Sequence, residues 1–176
     1  SAGPAIPGLP AYYPADYGRI IEASKAEGKL LVYSIMSARN WAPVLAEFKK
    51  LYPWLDVETL DLGSYEVFER YYAESASGAR TADMIISIAP DAWQEFLQKG
   101  QAVTYESPES RYIPSWAKFG KEIYMVSADP MVFIWNKRAL RQELWPKSMA
   151  QLAELVQQNP QTFRNRLTTY DAERVA

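Results

Sequence analysis

Residues 29–53, KLLVYSIMSARNWAPVLAEFKKLYP, constrain the fold more than any other stretch of the chain. The run Leu30-Leu31-Val32-Tyr33 suits a strand covered on both faces, as in a parallel sheet. A short polar loop follows, then an amphipathic run with Trp41, Val44, Leu45, Phe48 and Tyr52 on one stripe. Pro43 has no amide hydrogen and costs nothing only in the first turn of a helix. The helix is therefore expected to open with Asn40 as N-cap, after a loop of about five residues. Open α/β sheets hold ligands in loops of this kind, because the first amides of the helix are unpaired and point outward. Ser34, Ser37, Arg39 and Asn40 fall there and are candidate ligand-binding residues. Loop solvation and helix capping account for the same residues without a ligand. Arg39 reads either as a bidentate partner for an anion or as a surface cation.

The same pattern precedes and follows this stretch. Residues 1–14 are rich in Pro and Gly and read as an extended tail. Residues 15–27 read as a helix stopped by Gly28. Residues 55–62 alternate apolar and polar, as a strand near a sheet edge does. Gly63-Ser64 supplies a turn and an N-cap. Residues 65–77 form a helix with Val67, Phe68, Tyr71 and Tyr72 inward, closed by Gly78. Residues 82–87 are a short buried strand, and 90–99 a helix with Pro90 in its first turn and Gly100 as its stop. Three successive strand-helix units require a parallel sheet with helices packed on it. Ser87 ends the third strand and is expected to face the same cleft as Ser37 if the two strands are parallel neighbours. A small residue ending a strand is the plainer reading.

After Gly100 the pattern changes. Residues 102–105 read as a short strand, followed by a loop rich in Pro and Ser. Residues 122–127 and 131–136 read as strands broken by Asp129-Pro130. Residues 147–158 form a helix, and 164–170 a strand with no helix left to complete the unit. Tyr71-Tyr72 resembles a metal-binding pair, but the helix needs both rings for its apolar face. Trp135 reads as core or hinge packing, and Asp83 as the residue that orders a turn. Glu66, Glu69 and Glu74 form a solvated helix face near Arg70.

Composition removes several functions. The 176 residues contain no cysteine and no histidine. That excludes a disulfide framework, a thiol nucleophile, a Ser-His-Asp triad and the commonest metal ligand. No cofactor is expected. An enzyme would have to rely on carboxylates, lysine or tyrosine. A net charge of −2 gives no reason to expect nucleic acid as a partner. No apolar run reaches the length of a transmembrane helix, so a chain that does not span a membrane is expected.

Five segments in order, YGRIIEASKAEGKLLVYS, LAEFKKLYPWLDVE, ERYYAESASGARTADMIIS, VFIWNKRAL and LTTYD, resemble the periplasmic solute-binding proteins of ABC transporters, in the branch that includes ferric-ion-binding proteins. The resemblance implies an α/β fold with a mostly parallel, doubly wound sheet in each of two lobes. It implies a small solute enclosed in the interlobe cleft by a hinge motion and delivered to an ABC permease in the membrane. It implies a periplasmic, non-catalytic protein whose signal peptide has been removed. On this reading residues 1–14 are a tail, 15–103 the first lobe, 104–130 a loop and hinge crossover, and 131–176 the start of a second lobe, truncated.

The ferric branch holds iron with a histidine, a glutamate and a pair of tyrosines. Here the histidine position falls at Ser37 and the glutamate position at Ile88, neither of which replaces the ligand it stands for. The resemblance therefore implies a small polar or anionic solute and no metal. It also places an anion-contacting hinge segment at Ser127 and Ala128, where a plain Asp-Pro turn is the competing reading. Tyr170, with Asp171, would line the second-lobe side. A ligand-sensing domain of the same fold is the alternative to a transport role, and an α/β enzyme the more distant one.

Overall fold

The computed structural model describes residues 9–130 and 132–169. The chain divides into two compact units, the first ending at Tyr124 and the second beginning at Met125.

The first unit opens with α1 (Tyr17–Glu27), which stops at Gly28 in the left-handed conformation, with φ of 68°. A side chain there would pay the steric cost that glycine avoids. The chain then enters β1 (Lys29–Ser34), the expected strand with its expected bounds. Next come α2 (Ala38–Leu51), β2 (Asp56–Asp61), α3 (Glu66–Ser77), β3 (Met84–Ile86) and α4 (Pro90–Gln98). The strands form one parallel sheet in the order β2-β1-β3. Lys29 to Ser34 run in register with Asp56 to Asp61, and Val32 to Ser34 with Met84 to Ile86. This is an α/β fold with a parallel sheet, as the strand-helix alternation requires.

Because side chains alternate along a strand, β1 serves two layers at once. Tyr33 is fully buried against Val67 and Phe68 of α3 and Ala89, Ala92 and Phe96 at and within α4. Ser34 points the other way and meets Trp41 of α2, and it too is fully buried. α1 is held by Trp54, whose indole N–H donates to Ser24 Oγ at 3.0 Å and whose ring lies under Lys25.

The sequence placed the start of α2 too late. Ser37, not Asn40, is the N-cap, and Pro43 lies inside the helix. The loop shrinks to Ile35–Ser37, and Arg39 and Asn40 belong to the first turn. The competing force is tertiary: Trp41 reaches the buried Ser34, and Asn40 and Trp41 both donate backbone N–H to the Ser37 carbonyl. Pro43 consequently deprives the Arg39 carbonyl of its helical partner.

Beyond α4 the strand expected at 102–105 is absent. Tyr105 makes one backbone bond to Lys121 at 2.9 Å, and Thr104 is held through its side chain by Glu122. One bond is not a ladder. Two turns of 3-10 helix, Pro108–Tyr112 and Ser115–Ala117, lead into a short antiparallel ribbon of β4 (Lys118–Phe119) and β5 (Ile123–Tyr124). The strand read at 122–127 is thus cut to two residues. Before α1, Tyr12 and Tyr13 both donate phenolic O–H to the Glu109 carboxylate, at 3.0 and 2.7 Å, tying this segment to the first 3-10 turn.

In the second unit, residues 132–136 pair with no strand, and Val132 and Ile134 are 66% and 90% exposed. Strand propensity without a neighbouring ladder does not make a strand. α5 (Met149–Gln158) starts after Ser148, whose hydroxyl accepts the Gln151 N–H at 3.1 Å, two residues later than expected. The Gln151 side chain reaches back to the Lys147 N–H, close to a capping box. A further short helix, α6 (Pro160–Phe163), follows where no element was expected, with Pro160 in its first turn. Residues 164–169 are not a strand.

Candidate ligand-binding site

In a sheet ordered β2-β1-β3 the chain leaves β1 toward one edge and later returns to the other. The loops after β1 and β3 therefore diverge at a topological switch point, where open α/β sheets leave a crevice. The three strands end nearly flush: the Ile35 N–H donates to the Ile86 carbonyl at 3.3 Å, and the Leu62 N–H to the Ser34 carbonyl at 2.8 Å. Parallel pairing of β1 with β3 meets the condition that the sequence set for Ser37 and Ser87 to share an edge.

The five candidate residues that reach this edge differ in what they present to it. Ser34 is a bracket within the protein: its hydroxyl accepts the Met36 N–H at 2.8 Å and the Trp41 indole N–H at 3.0 Å. Both acceptor lone pairs are occupied. Ser37 is exposed, and as N-cap its side chain makes no capping hydrogen bond. Arg39 and Asn40 are exposed in the first turn of α2, which carries no acidic residue there. Ser87 is half-buried; its hydroxyl donates to the Ser64 carbonyl at 2.6 Å and so ties the loop after β3 to the loop after β2.

Several neighbours were not singled out from the sequence. The Trp93 indole N–H donates to the Ser87 carbonyl at 3.0 Å, fixing the strand end to α4. The Tyr65 phenol donates to both oxygens of Asp91 in the first turn of α4, at 3.0 and 3.1 Å. That bond is the main reason the Tyr65 phenol titrates above its ordinary range. Asp91 directly after Pro90 was the available signal, since an acid at a helix start is a dipole partner. Ile88, which follows Ser87, is 57% exposed.

The helix starts at this edge are therefore unequal. α3 has Glu66 and Glu69 in its first turn, and Glu66 Oε2 accepts the Gly63 N–H at 2.9 Å. α4 has Asp91. Only α2 among these three lacks a carboxylate of its own and carries a cation instead.

Ser127 and Ala128 lie in the second unit, both exposed, and Ser127 Oγ donates to Asp129 at 3.0 Å. Tyr170 and Asp171 lie outside the described residues. Away from the carboxyl ends of the strands, a shallow recess of about 120 Å³ opens at the amino ends of β1 and β2. Lys29, Asp56, Glu58 and Arg80 line it with offsetting charges. Among the described residues no three His, Cys, Asp or Glu side chains converge as a metal site would require.

The fold matches a solved structure, the substrate binding protein of an ABC transporter from Agrobacterium tumefaciens, with a TM-score of 0.71 and 27% sequence identity over 84% of the chain. The chain is homologous to an ABC-transporter substrate-binding protein. It spans 43% of that homologue's length. No protein-family model and no curated protein matches the chain. The parallel sheet with its switch-point edge is consistent with one lobe of such a protein. Among the described residues no helix is long and apolar enough to cross a membrane.

Proposed function

We propose that the chain is part of a periplasmic solute-binding protein of an ABC importer, a non-catalytic protein that captures a small polar or anionic solute for a membrane permease. The observation that carries this reading is the homology to the substrate-binding protein, at 27% identity and a TM-score of 0.71. On this reading the solute lies against the switch-point edge of the first lobe, with residues 104–130 as the loop and hinge crossover and 131–176 as the start of a second lobe.

The chemistry at the edge supports an anion over a metal. The exposed first turn of α2 offers the Ala38 and Arg39 amides, the Ser37 hydroxyl, which makes no capping bond, and the Arg39 guanidinium, with no carboxylate of its own to compete. On the resemblance to ferric-ion-binding proteins, Ser37 and Ile88 fall where those proteins have a histidine and a glutamate, and neither is a ferric ligand. Ser34 and Ser87 hold the two loops in place, and Asn40 lies beside Arg39 in the same turn. The resemblance implies that Ser127 and Ala128 belong to a hinge segment that contacts the anion; Tyr170 lies outside the described residues.

The test is a thermal-shift screen of carboxylates, phosphonates, sugar phosphates and ferric ion, followed by calorimetric titration of each hit. It is run on this chain and on a longer polypeptide matching the full length of the homologue. Stabilisation of the longer polypeptide by an anionic solute, lost in Arg39→Glu, is the expected result. Tight ferric binding, or equal affinity in the short chain, overturns the reading.

A further inference from the structure

We draw no further inference here: the strongest candidate, the exposed aromatic side chains of Tyr105, Tyr112, Trp116 and Phe119 around the β4–β5 ribbon, is an unpartnered apolar surface, and nothing in the structure shows what covers it.

Discussion

The indole N–H of Trp41 donates to the buried hydroxyl of Ser34 at 3.0 Å, joining the first turn of α2 to the last residue of β1. The same hydroxyl accepts the Met36 N–H, so one oxygen holds the strand end, the loop and the helix together. In Ser34→Ala both donors lose their acceptor in a buried setting, a loss of about 1–3 kcal/mol. Urea denaturation of the variant measures it. A loss no larger than that of an exposed serine, such as Ser37, would mean the bracket does not hold the loop.

Pro43 tests the helix start directly. Were Asn40 the N-cap, proline would sit in the first turn and its replacement by alanine would change little. With Ser37 as N-cap, Pro43→Ala restores an interior hydrogen bond to the Arg39 carbonyl. The variant is expected to be more stable by about 1–3 kcal/mol. Unchanged stability would favour the later start.

Acid and alkali should both weaken the packing of α3 on β1. The Tyr33 phenol donates to Glu74, and Arg70 Nε donates to both, at 3.1 and 2.9 Å. The Tyr33 bond, with help from Arg70, holds the Glu74 carboxyl below its ordinary value of 4.5. A lowered carboxyl gives stability that is present above the ordinary value and lost as pH falls through the folded one. Tyr33 is raised above 10, chiefly by burial, so its share is present below that value and lost as pH rises. Unfolding free energy against pH should show a plateau between these limits, and Glu74→Gln should flatten the acid side.

Glu109 should govern two phenols unequally. Tyr12 is pushed up to about 12, first by burial and then by Glu109. Tyr13 is raised further, and there the hydrogen bond to Glu109 leads. In Glu109→Gln, alkaline titration of phenolate absorbance should shift Tyr13 down more than Tyr12. Raised phenols contribute stability below pH about 10 that is lost as pH climbs toward the folded values, so the variant should also lose stability at neutral pH. Equal shifts in the two phenols would contradict the geometry.

Arg39 is exposed, so its reversal should leave the fold alone. Arg39→Glu is expected to change stability by less than about 0.5 kcal/mol. On the proposed reading it weakens an anionic solute by roughly 10-fold or more, the loss of a charge-assisted hydrogen bond. Chemical denaturation and calorimetric titration of the same preparation separate the two effects.

Local signals carried most of the first unit. The bounds of β1, the stops at Gly28 and Gly78 and the Pro90 start of α4 rest on residues that act on their own neighbours, and the sequence reading places them within a residue or two. Errors arose where the deciding contact is a packing or pairing partner that periodicity does not encode. Trp41 answers to Ser34 across the strand-helix corner, and 102–105 and 132–136 have strand-like composition but no ladder. At the candidate site, periodicity indicated which loops reach the edge. It could not indicate that Ser34 and Ser87 spend their hydroxyls inside the protein, because that depends on the corner that brings Met36 and Trp41 to Ser34 and on the sheet that brings Ser64 to Ser87.

The central place of β1 has a consequence for synthesis. The strand is made before either of its neighbours, and the cover for Tyr33 comes from α3 and α4, which follow β2 in the chain. A chain folded only as far as Leu62 can pair β1 with β2 yet leaves the Tyr33 face of that ribbon uncovered. Burial of Tyr33 is complete only once the chain reaches Phe96, so any fragment ending earlier exposes that apolar face.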